Sequence, residues 1–310
     1  MRPLSKKTRT LMFILLSLVF VIGAPALILY STGYRLGDAL SLIKTGGIFI
    51  HSNLSGTRVY VDGDFVEDNG IILRNTLIQN LRPNKTYNVK VEKEGHNTWE
   101  KDFRVLPNLV IEAKVLMLPE EIEFREISDP KLNPEYKVIS ELFKKDSLGQ
   151  FEVAVSTTTP KIVAGVKKLV ISTSTEVSIP KYISNLEIEN IEDKNLLREK
   201  QKMLSWLESG KVNVVWAGDE TSLPYLFCGE KCQDKIVVSY KEPILYYDFM
   251  PGREDVFIIL TSSGIRAIEI DNRSKINIQD ILIGDNLDFR VENNNTIFIK
   301  DGKVFKEVVL

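Results

Sequence analysis

The chain has 310 residues, 44% of them hydrophobic and 26% charged. That composition supplies a sizeable core and is far from that of a disordered segment. With 40 basic against 42 acidic residues, and only two cysteines and two histidines, the basic excess of a nucleic-acid binder and the Cys/His density of a zinc protein are both missing.

Arg2, Lys6, Lys7 and Arg9 form a short basic tail without an acidic residue, and behind it an unbroken apolar run begins at Leu11 and ends at Tyr30. At 1.5 Å per residue these positions make a helix about 30 Å long, the hydrocarbon thickness of a bilayer. About thirteen of them are Leu, Ile, Val or Phe, each favouring insertion by about 0.3 to 0.6 kcal/mol near the helix centre. Gly23 and Pro25 are tolerated in such a setting. The positive-inside rule puts the amino terminus in the cytoplasm and the rest of the chain on the far side of the membrane. Ala24-Pro25-Ala26 has the small-x-small form of a cleavage site, so a signal peptide cut after Ala26 is the competing reading; Leu27-Ile28-Leu29 continues the apolar run past that cut and favours an anchor. The tail takes four of the 40 basic residues, leaving 36 against 42 acidic ones, a mildly acidic balance for the exported part.

Residues 33–46 read as a juxtamembrane connector, with Gly33 and Gly37 stopping the helix. The apolar period then changes to two. Residues 47–52 are strand-like, a turn follows at 53–56, and 57–61 return as a hairpin partner that ends in Asp62-Gly63, itself a hairpin signal. Further strands are expected over 70–74, 86–93, 100–105 and 110–116. Gly63 and Gly95 fall where turns demand positive φ, and Val59, Val61, Val89 and Val91 share strand faces. Asp62, Asp64, Glu67 and Asp68 admit a calcium-loop reading, but an oxygen ligand is missing at Val66, and a solvated acidic turn is favoured. His51 and His96 lie at strand ends with no nucleophile or metal ligand adjacent in sequence, so both read as structural imidazoles. Asn53, Asn84, Asn272 and Asn294 match the glycosylation acceptor pattern, which matters only in a eukaryotic secretory pathway.

Gly56-x-x-Val59-Tyr60-Val61-Asp62-Gly63, then Leu81-x-Pro83 followed by Tyr87-x-Val89-x-Val91-x-Lys93-x-Gly95, resembles the PEGA domain over residues 47–118. The resemblance implies a small β-sandwich-like module of the kind carried by bacterial surface proteins, attached here to a membrane helix. Trp99, with Tyr60 and Tyr87, is the first candidate for stacking on a glycan or peptide.

Pro119-Glu120-Glu121 opens a second region, 119–310. Asn133-Pro134 starts a short helix whose apolar residues Tyr136, Ile139, Leu142 and Phe143 recur at helical spacing. The same spacing of Leu196, Leu197, Met203, Leu204 and Leu207 predicts a second helix over 193–208, closed by Ser209-Gly210. Otherwise strands are expected over 151–156, 168–173, 212–217, 225–227, 235–239, 245–249, 256–261, 265–270, 288–291, 296–300 and 304–309, a spacing near that of a sandwich, barrel or propeller. Residues 244–278 read as a four-strand blade and 287–309 as the next unit; the aromatic-x-Pro turn Phe249-Met250-Pro251 is similar to those of TolB-like and WD-type propellers. Cys228 and Cys232 bracket a short loop and suit a local disulfide, with free thiols or a metal site as alternatives.

The expected architecture is mainly β: a cytoplasmic tail and transmembrane anchor over 1–32, a connector over 33–46, a PEGA-like domain over 47–118 and a propeller-like domain with two short helices over 119–310. The expected function is non-catalytic binding or scaffolding at the cell envelope, with a glycan or protein partner, the bilayer as anchor, no cofactor, no metal and no nucleic acid. An envelope hydrolase using Asp248, Asp255 or Glu269 is the alternative.

Overall fold

The protein is described here from a computed structural model covering residues 5–37, 41–68, 74–128, 133–145, 198–219, 222–229, 231–292 and 296–310. The strands expected over 151–156 and 168–173 lie outside the described residues. The fold is mainly β and divides into two compact units, Met1–Glu94 with Thr98–Val115, and Gly95–Asn97 with Leu116–Leu310.

The first unit opens with α1 (Lys6–Ser31), whose first turn is capped by Ser5 accepting from the Thr8 amide. Its 26 residues span about 39 Å, none is buried, and the helix is long and apolar enough to cross a membrane or to serve as a signal sequence. Gly33 turns the chain with φ +84°. Strands β1 (Tyr34–Leu36) and β2 (Leu42–Lys44) then pair antiparallel, so the segment expected to be a plain connector is a small hairpin. It went unrecognised because three-residue strands are too short to show a period.

Seven strands follow: β3 (Gly46–His51), β4 (Arg58–Val61), β5 (Asp64–Asp68), β6 (Asn75–Leu81), β7 (Thr86–Glu92), β8 (Trp99–Arg104) and β9 (Val110–Lys114). They form one sheet in the order β6-β3-β9 and another in the order β5-β4-β7-β8. Tyr87, Val89 and Val91 are buried in β7, as are Trp99, Lys101 and Phe103 in β8, while the residues that alternate with them are more exposed. This is the alternation of strands with one solvated face. The expected hairpin of β3 with β4 does not form. β3 pairs with β6 and, in parallel, with β9, and residues 52–57 carry the chain across to the other sheet, with Ser52 and Thr57 buried at the two ends. The Asp62-Gly63 hairpin does form, joining β4 to β5 with both turn residues at positive φ (52° and 87°), the geometry that suits strand twist. The strand expected over 70–74 falls mostly outside the described residues, and Arg74 is not in a strand; β6 begins at Asn75.

In the second unit β10 (Arg125–Ile127) precedes α2 (Glu135–Lys145). α2 lays Ile139 and Phe143 on Ile127, Phe298 and Phe305, with Phe143 stacked on Phe305 at 5.3 Å and Tyr136 edge-on to it at 5.0 Å. Then come β11 (Arg198–Lys200), β12 (Met203–Glu208), β13 (Lys211–Trp216), β14 (Lys235–Val238), β15 (Tyr246–Phe249), β16 (Val256–Thr261), β17 (Gly264–Glu269), β18 (Ile278–Ile283), β19 (Leu287–Val291), β20 (Ile297–Asp301) and β21 (Val304–Val308). They make three four-stranded antiparallel sheets, β11-β12-β13-β14, β15-β16-β17-β18 and β19-β20-β21-β10. The last sheet takes its outer strand from the start of the unit, and among the described residues the sheets close no ring. A core of Met203, Val214, Trp216, Phe227, Tyr247, Phe257 and Ile268 joins the first two sheets.

Two expectations fail in this unit. Within the described part of 193–208 there is no helix but the β11–β12 hairpin. Its turn, Gln201-Lys202, holds both residues at positive φ (48° and 66°), a conformation whose usual sequence marker is Asn or Gly. Met203, Leu204 and Trp206 are all buried, so both faces of β12 are covered and the alternation that marks a strand is erased. Ser209-Gly210, at φ 51° and 71°, is the next hairpin turn and not a helix end. Residues Tyr225–Phe227 form a 3-10 turn, not a strand.

Candidate functional site: a charged cleft on edge strands of three sheets

Each of β11, β15 and β19 is an edge strand of its sheet. The three converge on a cleft of about 290 Å³, lined chiefly by Arg198, Lys200, Asp248, Phe249, Pro251 and Glu292, near the lower end of small-molecule sites. The same local device recurs on two of these strands. Asp248 accepts from the Phe249 amide at 2.7 Å and Asp288 from the Phe289 amide at 2.9 Å, so each carboxylate satisfies an edge-strand donor.

Tyr246 is the hub. Its hydroxyl accepts from Arg198 Nη2 at 3.2 Å, the guanidinium groups of Arg198 and Arg290 lie 5.7 and 5.0 Å from its ring centre, and its ring meets Phe289 edge-on at 5.1 Å. Arg198 also lies 3.6 Å from Asp248, and Arg290 pairs with Asp288 at 2.5 Å. Lys200 donates to the Met250 carbonyl at 3.1 Å, just before the Pro251-Gly252 turn. Burial, with these partners, sets the ionisation of the cleft. Burial raises Asp248 above the usual carboxylate range, opposed by Arg198, and burial lowers Lys200 below the ordinary lysine value. Tyr246 is raised, again by burial. Burial also opposes the charge of Arg198, but Asp248 and Tyr246 outweigh it and hold the guanidinium charged. Perturbed groups of both signs gathered in a cleft mark it as the candidate site. Chemically it offers fixed donors, one aromatic face and carboxylate acceptors to a polar ligand.

A second, closed charge network lies in the same unit. Arg253 Nε and Nη2 bind both oxygens of Asp255 at 2.7 Å, and Arg273 binds both of Asp271 at 2.9 Å. Tyr225 donates to Asp255 at 3.4 Å and is held protonated by burial. Asp255 and Glu269 are 2% and 1% exposed, which closes both to a substrate. Just beyond the 3-10 turn, Cys228 and Cys232 are joined by a disulfide.

The aromatic residues singled out for stacking are placed differently from expectation. Trp99 is 1% exposed and Tyr87 7%; Trp99 packs beside Phe103, and the Tyr87 hydroxyl accepts from the Arg82 amide at 2.8 Å. Neither ring has a free face, because the alternation that placed them on strands also turned them inward. Tyr60 is half-buried against Phe65, and the structure does not bring the three together. Asp62 is paired with Lys85 and the Asn88 amide, and Asp64, Glu67 and Asp68 line the exposed strand β5. Among the described residues no cluster of His, Cys, Asp and Glu suits a metal. His51, the last residue of β3, stands opposite Lys114 of β9, and His96 forms an isolated β-bridge with Pro119. Arg198 and Lys200, which line the cleft, and Tyr246 and Arg290, which pack behind its lining, escaped sequence reasoning. No local motif marks them: Asp-Phe pairs occur at 64–65, 102–103, 248–249 and 288–289, so the two beside these residues do not stand out in the sequence.

No curated protein matches the sequence. Among solved structures, the AfRom2 CNH domain aligns with 79% of this chain and 70% of its own length, at 10% identity and a TM-score of 0.26. Residues 45–119, the span that holds β3 to β9, match the PEGA domain family.

Proposed function

We propose that the chain is a non-catalytic, membrane-anchored binding or scaffolding protein of the cell envelope, with a cytoplasmic amino terminus and both β units outside the membrane. The observation that carries this reading is an exposed apolar helix set, with only the β1–β2 hairpin between, ahead of a PEGA-matching module. The basic residues ahead of the helix support the orientation. In the second unit the three four-stranded sheets, the last completed by β10, support a propeller-like reading, with the cleft at the inner strands receiving the partner. A polar envelope component, a glycan or a peptide, suits its mixture of guanidinium, ammonium and carboxylate groups. The engagement of Asp248 with Arg198, and the closure of Asp255 and Glu269 to solvent, favour binding over hydrolysis.

The test uses the full-length protein in detergent, retained on immobilised envelope glycans and on membrane-protein extracts, beside Arg198→Met and Lys200→Met. Specific retention that both variants weaken supports the reading. Turnover of a retained glycan or peptide that Asp248→Asn abolishes would replace it with the hydrolase.

A further inference from the structure

The hairpin β1–β2 begins three residues after the last residue of α1, within about 10 Å of chain. One of its faces carries Tyr34, Leu36, Leu42 and Lys44, since Tyr34 pairs with Lys44 and Leu36 with Leu42 across the ladder. Leu36 is 69% and Leu42 54% exposed, and Lys44 lies 5.3 Å from the Tyr34 ring centre. A tyrosine, two leucines and a lysine on one face are the composition of the membrane–water interface, where aromatic rings sit at headgroup level and long cations reach to phosphate.

The hairpin is fixed to its neighbours. The Arg35 guanidinium stacks 3.7 Å from the Tyr30 ring centre, donates to the Tyr30 and Tyr34 carbonyls at 2.8 Å, and donates to Asn80 Oδ1 at 2.5 Å. Thr45 binds the Gly33 carbonyl through its amide at 3.0 Å and its hydroxyl at 2.9 Å, and its own carbonyl accepts from the Asn108 amide at 3.0 Å. The end of the helix, the hairpin and the β3–β9 module are thus one hydrogen-bonded assembly within the first unit. A face held at this place relative to a membrane-crossing helix meets the interfacial layer of the bilayer. The turn after β6 adds exposed Arg82 beside a cleft of about 480 Å³ that it shares with Gly37, Ser41 and Ile43 of the hairpin region, a placement that suits anionic headgroups.

We infer that the hairpin is a membrane-interface collar: its Tyr34, Leu36, Leu42, Lys44 face seats in the headgroup–acyl boundary and fixes the orientation of the PEGA-matching module on the bilayer. The inference rests on the reading of α1 as an uncleaved anchor.

The test reconstitutes the full chain in phospholipid vesicles with an environment-sensitive fluorophore on single introduced cysteines, the Cys228–Cys232 disulfide being left intact. Leu36→Cys and Leu42→Cys report the collar, Val19→Cys the middle of α1, and Val66→Cys, on the exposed strand β5, the aqueous reference. Nitroxide lipids labelled at shallow and deep positions are the quenchers. The collar predicts that positions 36 and 42 are quenched at least about twofold more by the shallow label than by the deep one, position 19 the reverse, and position 66 by neither. Quenching at 19 with none at 36 and 42 overturns the collar and leaves the anchor standing. Absence of quenching at 19 overturns both.

Discussion

Replacing Asp255 by Ala strips a buried arginine of its counter-ion. The Asp255 side chain is 3% exposed and that of Arg253 10%, and the two are joined by a bidentate pair of hydrogen bonds, both 2.7 Å. Removing one partner of such a pair leaves a desolvated charge and costs about 3–5 kcal/mol, a large share of a domain's net stability of about 5–15 kcal/mol. Replacing both partners by apolar residues of similar volume removes the stranded charge, so Arg253→Met with Asp255→Leu costs less than Asp255→Ala alone. The assay is urea unfolding of the full chain in detergent, followed by the fluorescence of Trp206 and Trp216 in a Trp99→Phe background, so that only the second unit reports. With a slope of about 2 kcal/mol per molar urea, Asp255→Ala lowers the midpoint by about 1.5–2.5 M. A fall below about 0.5 M, or a double variant as unstable as the two single ones combined, refutes the assignment of this network as a buried, mutually dependent pair.

Three further outcomes follow from the geometry. Gly46→Ala places a Cβ against the carbonyl oxygens of Leu106 and Leu109; backbone cannot yield there, so the first unit loses about 1–3 kcal/mol, read from Trp99 fluorescence on heating. Asp62 is held below the ordinary carboxylate value by its hydrogen bond with Lys85 and by the Asn88 amide. Its stabilising contribution is therefore present above the unfolded-state pKa and lost as pH falls through the lower folded value, and a carboxyl-carbon NMR titration should place its midpoint below about 3.9; a midpoint at or above that value contradicts the pairing. Reducing the Cys228–Cys232 bond opens a five-residue loop and lowers the stability of the second unit by about 2 kcal/mol on chain-entropy grounds, measured as a urea-midpoint shift with and without dithiothreitol.

What the sequence disclosed follows from how local each signal is. The helix at its start is visible because some twenty apolar residues in a row admit few other readings, and β7 because Tyr87, Val89 and Val91 alternate with polar neighbours. Asp62-Gly63 is visible as a turn because glycine advertises positive φ. Gln201-Lys202 adopts the same kind of turn without that advertisement, and β12, buried on both faces, counterfeits a helical stripe; together they explain the false helix. The crossing from β3 to the other sheet was invisible because a four-residue turn looks the same whether its flanking strands pair or part. The cleft was hidden for a different reason. Arg198 and Tyr246 are 48 residues apart and Tyr246 and Arg290 44, and only the side-by-side placement of three edge strands gathers them. Trp99 misled in the opposite sense: an aromatic at a strand position is conspicuous in sequence, yet its partner is Phe103 in the core.

The central claim, an uncleaved anchor with the β units outside, is tested most directly by protease treatment of intact spheroplasts carrying the full chain with a tag at each end. The account predicts that both tags sediment with membranes, that external protease removes the carboxy-terminal tag, and that a small membrane-bound fragment bearing the amino-terminal tag survives. A soluble carboxy-terminal tag on a chain lacking its first segment, or protection of that tag in intact spheroplasts, contradicts it.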